Sequence, residues 1–164
     1  MSTQVISAPA MSPEPGLDIW ASVSVEEALA LPVKARGELA EMLLVLKLMA
    51  MGMIVAKPFG DSSPWDLVVQ AGGKLSRLQV KSAWVRGRDG YEISAGPSSS
   101  CRTGRRRLYR VDEIDFLVGY VAPEDTWFIF PMREVHTTNV IIRMEPYWPL
   151  AGYRERWELL YGEE

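Results

Sequence analysis

The pair Gly72-Gly73 constrains the fold of this 164-residue chain more than any other feature. Two consecutive glycines supply the positive φ angles of a two-residue hairpin turn. The flanking segments that are predicted to be strands are residues 65–70 and 74–85. Pairing around this turn places Asp66 opposite Gln79, and opposed residues of a hairpin share one face. Lys81 lies on the same face as Gln79 because side chains alternate along a strand.

These three polar side chains suit the hydrolysis of a phosphodiester with the help of a metal ion. A carboxylate and an amide oxygen are hard ligands for Mg²⁺, which binds through few protein groups and keeps several waters. A lysine beside the metal orients the attacking water or stabilises charge that develops on the phosphate. The alternative is that Asp66 only begins a strand while Gln79 and Lys81 face water. Their spacing does not by itself decide between the two interpretations.

The chain before the hairpin is predicted to be an arm followed by two helices. Residues 1–17 are rich in Ser and Pro without a hydrophobic period, which predicts a disordered arm. Residues 18–164 have the length of a single domain. A short helix is predicted within 18–31 with Ser24 as its N-cap, and a long helix at 34–51. The apolar positions of the long helix are 39, 42, 43, 46, 49 and 50.

Strands dominate the remainder of the chain. Further strands are predicted at residues 53–56, 91–95 and 140–144. A second hairpin is predicted from residues 116–121 and 127–131. Residues 96–107 are predicted to form a flexible basic loop, and residues 153–161 an amphipathic helix.

The net charge of −3 conceals a strongly basic segment. Residues 74–110 hold ten basic and two acidic side chains and carry +8, whereas the rest of the chain carries −11. Such a local field attracts phosphate, although a solvated basic loop is the alternative interpretation. Arginine suits phosphate or guanine contacts, and serine donates to backbone oxygens. The candidate DNA contacts are Ser62, Ser63, Ser82, Arg86, Arg102, Arg105, Arg106 and Arg107.

Cysteine content and hydropathy bear on the compartment. Cys101 is the only cysteine, so the chain has no internal disulfide and a reducing cytoplasm is predicted. The longest apolar stretch, residues 42–56, is broken by Lys47 and Gly52 and is too short to span a bilayer. We therefore expect no association with a membrane.

The run from Gly37 to Ser82 resembles the core of the PD-(D/E)XK nuclease superfamily, in particular the branch of group I intron homing endonucleases from cyanobacteria and their relatives. That superfamily uses a helix glutamate, an aspartate that begins a strand, and an acid-x-lysine pair on the next strand. The residues at these places are Glu41, Asp66, Gln79 and Lys81. Glutamine in the third place departs from the general pattern but is similar to the variant of this branch. Glu38, three residues before the helix glutamate, is the alternative at that place.

The resemblance extends over roughly residues 34–160 and implies both a fold and an activity. It implies a restriction-endonuclease-like α/β core with a mixed β-sheet flanked by helices. It also implies a DNA endonuclease that uses Mg²⁺ or Mn²⁺ and assembles as a homodimer or homotetramer. Because only Glu41 and Asp66 carry a full charge, one well-held ion is expected rather than two. The alternatives are a DNA-binding module of the same fold without catalysis, and a regulatory protein.

Overall fold

The protein is described by a computed structural model that covers residues 24–60, 62–97 and 107–162. The helices are α1 (Val25–Leu29) and α2 (Val33–Ala50). The strands are β1 (Ile54–Ala56), β2 (Leu67–Ala71), β3 (Lys74–Ala83), β4 (Tyr91–Ser94), β5 (Phe116–Val121), β6 (Thr126–Pro131) and β7 (Asn139–Ile142). The predicted arm at residues 1–17 and most of the predicted basic loop lie outside the described residues.

The β2–β3 hairpin has the register that its glycines predict. Gly72 and Gly73 have φ angles of 55° and 80°, which side chains with a Cβ rarely adopt. Pairing then runs up to Leu67 opposite Leu78, and the Asp66 N–H donates to the Leu78 carbonyl at 2.8 Å. The predicted register is therefore confirmed up to Leu67 and Leu78, the pair directly before Asp66 and Gln79.

The five strands of the larger sheet lie in the order β1-β2-β3-β5-β6, and β4 pairs with β7 in a second sheet. β3 and β5 are parallel, whereas the other neighbours are antiparallel, which confirms the predicted mixed sheet. The predicted second hairpin is confirmed as β5 and β6. Both strands are buried along their whole length because α2 covers one face of the sheet and the β4–β7 pair covers the other.

Helix α2 turns a different face to the sheet from the one that its sequence suggests. The buried residues are Ala40, Leu44 and Leu48, spaced four residues apart. Met42 and Met49, which belong to the predicted apolar stripe, are 59% and 60% exposed. The apolar run surrounds the helix almost completely here, so its spacing does not identify the buried stripe. The packing of the helix against the sheet decides it.

The predicted C-terminal helix is wrong in detail. The chain forms two short 3-10 segments, Ala151–Tyr153 and Trp157–Tyr161, instead of one amphipathic helix. Between them Glu155 adopts a positive φ of 51°, which an α-helix of L-residues does not accommodate. Its carboxylate accepts hydrogen bonds from the Trp127 N–H at 2.7 Å and the Trp157 indole N–H at 2.8 Å, which fix the break.

An ion pair on β3 anchors the segment that leads into β5. The Arg77 guanidinium donates to both carboxylate oxygens of Asp115, at 3.0 and 2.9 Å, and its backbone N–H donates to the same group at 2.7 Å. Burial opposes ionisation of Asp115, but the hydrogen bonds and the charge of Arg77 outweigh it and lower its pKa. The pair therefore fixes where the chain enters β5.

We expect Asp115→Asn to lower the free energy of unfolding at neutral pH by about 0.5–1 kcal/mol, since both partners are one-third exposed. The carboxyl pKa is lower in the folded state, so its stabilisation is present above the ordinary pKa of about 4 and is lost as pH falls through the folded value. Urea unfolding of both proteins at neutral pH and at about pH 3 measures this difference. If Asp115→Asn lost the same free energy of unfolding at both pH values, the ion pair would not be the source of the stabilisation.

Candidate active site

Asp66 stands at the entrance of the hairpin, directly before β2. Its Oδ2 accepts hydrogen bonds from the Val80 N–H at 2.8 Å and from the Gln79 side-chain amide at 2.5 Å. Gln79 is only 6% exposed and Asp66 is half-buried. Burial raises the pKa of Asp66, and the hydrogen bond from Val80 only partly opposes this shift. The carboxylate is thus held in a fixed orientation with little surrounding water.

Lys81 follows on the same face of β3 and is also half-buried. Burial lowers the pKa of its ammonium, while the negative charges of Asp66 and Glu41 act in the opposite direction. An acid whose pKa is raised beside a lysine whose pKa is lowered is typical of catalytic sites. Leu78 and Val80 point to the opposite face and pack in the core with α2, as the hairpin predicts.

Glu41 on helix α2 completes the group formed by Asp66, Gln79 and Lys81. It is paired with Lys57, a residue that was not predicted from the sequence to belong to the site. The Lys57 ammonium lies 2.6 Å from Glu41 Oε2, and this hydrogen bond raises the pKa of Lys57. Glu41 also acts on the pKa of both Asp66 and Lys81. The alternative, Glu38, pairs with Lys34 at 3.8 Å and its side chain is 60% exposed, against 20% for Glu41. The geometry favours Glu41.

Lys57 follows β1 directly, and this position in the sequence could have predicted that it lies near the site. β1 is antiparallel to β2, with Ala56 opposite Val68, so the residues after β1 lie beside those before β2. The sequence predicted both strands but did not pair them. Pairing β1 with β2 brings Lys57 towards Asp66, whose charge contributes to its raised pKa.

Three side chains of this group carry oxygens of the kind that hard divalent ions prefer. Within the described residues, Asp66 Oδ1 and Glu41 Oε1 accept no hydrogen bond, and the Gln79 amide oxygen adds a third hard donor. Among the same residues no cluster of three or more His, Cys, Asp or Glu side chains is found. With glutamine at position 79, the group has two carboxylates, those of Glu41 and Asp66.

The predicted DNA-binding serines lie on two faces. Ser62 is exposed and Ser63 is half-buried, and both directly precede the Pro64-Trp65-Asp66 turn. Ser82 lies on the α2 side of β3, opposite to Lys81, because side chains alternate along the strand. Its Oγ accepts a hydrogen bond from the Trp84 indole N–H at 2.9 Å. Ser62 and Ser63 thus remain candidates for DNA contacts beside Asp66, whereas Ser82 lies on the other face of the sheet.

The predicted DNA-binding arginines differ in their surroundings. Arg86 is exposed, with its guanidinium 5.9 Å from the Tyr91 ring centroid and 3.9 Å from Glu145. Arg107 donates two hydrogen bonds to Glu113, at 2.6 and 2.8 Å, and so is held at the base of the basic segment. Arg102, Arg105 and Arg106 lie outside the described residues.

Comparison with known proteins identifies the class. The family model for PD-(D/E)XK endonucleases matches residues 32–159, and the chain belongs to this family. The structure is similar to that of a bacterial homing endonuclease, I-Ssp6803I, with 27% identity and a TM-score of 0.71 over 80% of this chain and 94% of that one. The restriction-endonuclease-like fold is thereby confirmed.

A second similar structure is a Holliday junction resolvase from Archaeoglobus fulgidus, Hjc. It is 17% identical, with a TM-score of 0.43 over 66% of this chain and 84% of that one. No curated protein matches the sequence at a significant level. Among the described residues, no helix has the length and apolar character needed to cross a membrane.

Proposed function

We propose that this nuclease is a metal-dependent endonuclease that hydrolyses phosphodiester bonds of DNA at the β2–β3 hairpin. The observation that carries the proposal is the convergence of the Asp66 carboxylate, the Gln79 amide and the half-buried Lys81 ammonium on one face of that hairpin. Residues 18–164 would form the single nuclease domain. Membership of the family and the likeness to a homing endonuclease support this activity.

Asp66, Gln79 and Glu41 would hold one Mg²⁺ or Mn²⁺ ion through their oxygens. Such an ion, when bound, supplies a water of lowered pKa and neutralises charge on the phosphate. The hydrogen bonds from Val80 and Gln79 keep the Asp66 carboxylate in one orientation before any substrate arrives. Lys81 would orient the attacking water or donate to a phosphate oxygen, and its half-buried position strengthens either interaction.

DNA would lie along the basic segment and the serines before Asp66. We assign backbone contacts to Ser62, Ser63, Arg86, Arg102, Arg105 and Arg106, with Arg107 holding the base of the segment through Glu113. Ser82 is left out because its side chain lies on the α2 side of the sheet. Cleavage of both strands in one binding event is served by one active site for each strand, so we propose a homodimer or homotetramer. The lone cysteine favours the cytoplasm as its compartment.

The activity is tested by incubating the purified protein with plasmid, linear and branched DNA in Mg²⁺, in Mn²⁺ and in EDTA. We expect cleavage of at least one substrate that stops when the metal is chelated, and products that carry ends left by hydrolysis. Electrophoretic binding assays on the same DNA accompany the reactions. Tight binding without cleavage of any substrate would instead identify a DNA-binding protein that has lost catalysis.

Arg86→Ala tests the DNA path separately from the chemistry. Because Arg86 is exposed and only loosely paired with Glu145, we expect weaker DNA binding and a salt dependence reduced by about one released counterion. The matched control is Arg156→Ala, since that arginine pairs with Glu158 in the C-terminal 3-10 segment. Dissociation constants measured across a series of salt concentrations give both slopes. Unchanged slopes for Arg86→Ala would remove this residue from the DNA path.

A further inference from the structure

Tyr109 is a buried tyrosine two residues after Arg107, where the chain lies beside the end of β4. Its backbone N–H donates to the Ala95 carbonyl at 2.9 Å, and the Ala95 N–H donates to the Thr138 carbonyl at 2.8 Å. A Cβ on Gly96 would lie only 2.0 Å from the Arg107 carbonyl oxygen, so the two arms of the segment touch here. Tyr109 is therefore fixed in place beside the end of β4.

The ring of Tyr109 faces the active-site lysine. Lys81 Nζ lies 5.8 Å from the ring centroid, within the range at which a cation interacts with the face of an aromatic ring. Tyr109 is 5% exposed and belongs to the core cluster on the side of the sheet to which Lys81 points. The ring therefore limits the positions that the half-buried ammonium can take.

The charge of Asp66 acts on the hydroxyl of Tyr109, yet this hydroxyl forms no hydrogen bond with another described residue. Burial first, and then the negative charge of Asp66, raise the pKa of Tyr109 to about 12. At neutral pH the hydroxyl is therefore protonated and can donate. Within the described residues it makes no hydrogen bond, whereas the buried Tyr91 and Tyr120 bond to Glu124 and Asp125. The hydroxyl is nevertheless not one of the buried polar atoms of the described residues that lack a partner, so it reaches the surface, where a ligand can accept its hydrogen bond.

We propose that Tyr109 is a further active-site residue, whose ring positions Lys81 and whose hydroxyl donates a hydrogen bond to the DNA phosphate that is cut. The inference rests on the proposed nuclease function. The ring face lies towards Lys81, and the charge of Asp66 acts on the hydroxyl. Tyr109 also lies two residues after Arg107, so it links the arginines of the predicted basic loop to Lys81.

Two substitutions separate the ring from the hydroxyl. Tyr109→Phe keeps the ring and removes the donor, and we expect kcat to fall about 10- to 100-fold with a smaller change in DNA affinity. Tyr109→Leu removes both, and we expect a further loss of about 3- to 10-fold. Tyr120→Phe is the matched control, because Tyr120 is buried on the α2 side of the sheet and its hydroxyl bonds to Asp125. Thermal unfolding of each variant checks that the fold is retained.

Cleavage by Tyr109→Phe at the rate of the wild type would overturn the phosphate contact, and equal rates for the Phe and Leu variants would overturn the role of the ring. A signal independent of catalysis comes from NMR of protein labelled with ¹³C at the lysine ε-carbons, with the Lys81 resonance assigned through Lys81→Met. We expect a ring-current shift that survives in Tyr109→Phe and disappears in Tyr109→Leu. If the wild type cuts no DNA, the proposed function fails, and a Lys81 resonance unaffected by Tyr109→Leu would overturn the contact as well.

Discussion

Asp66→Asn will slow DNA cleavage by at least about 1,000-fold while DNA binding persists. Asparagine retains the shape of the side chain and can still accept the Val80 N–H, but it lacks the charge that would hold a divalent ion. The substitution leaves unchanged the basic residues that are proposed to bind DNA. Because burial already raises the pKa of Asp66, the fold disfavours the charged form, and we expect no loss of stability from its removal.

Single-turnover cleavage with saturating protein measures this effect without a contribution from product release. Asp125→Asn is the matched control, since Asp125 lies in the β5–β6 turn with a φ of 40°, a conformation that asparagine tolerates. The control should cut at the rate of the wild type. If Asp66→Asn cut within about tenfold of the wild type, then Asp66 would not be the metal-holding carboxylate.

Lys81→Met is the second large effect, expected to reduce the single-turnover rate by about 100- to 1,000-fold. Methionine retains most of the apolar stem but supplies neither a charge nor a hydrogen-bond donor. Lys81 contributes no oxygen to the metal, so metal affinity should stay close to that of the wild type. Lys81→Arg should also be slow, because a planar guanidinium does not fit a space shaped for a compact ammonium.

Lys74→Met provides the matched control on the same strand. Its ammonium lies over the Phe116 ring, 5.6 Å from the centroid, at the opposite end of β3 from Lys81. Titration of Mg²⁺ in the cleavage assay separates the two possible roles of Lys81. Full recovery of Lys81→Met at high Mg²⁺ would show that the lysine acts only through metal affinity, contrary to the proposed role.

The sequence predicted those parts of the site that depend on local structure. Gly72-Gly73 determines a two-residue turn, and the turn determines which residues of β2 and β3 are opposed, so Asp66 and Gln79 could be placed together without further information. Ser24 is likewise the predicted N-cap of α1, where it forms a capping box with Glu27. These features depend on neighbours within about fifteen residues along the chain, where turn geometry and capping act.

The parts that the sequence did not predict depend on long-range packing. Lys57 reaches Glu41 only because β1 pairs with β2. Tyr109 reaches Lys81 only because residues 107–109 return to Ala95 and Gly96 at the end of β4. The buried stripe of α2 and the break at Glu155 are likewise set by partners distant in sequence. Turn and periodicity signals carry no information about such partners.

The metal site is the central claim, and titration of Mn²⁺ into metal-free protein tests it most directly. Calorimetry of the wild type should show one ion bound, Asp66→Asn should bind at least about tenfold more weakly, and Asp125→Asn should match the wild type. Binding of Mn²⁺ to Asp66→Asn with the affinity of the wild type, or no binding to the wild type in the presence of DNA, would contradict a metal centre at the β2–β3 hairpin.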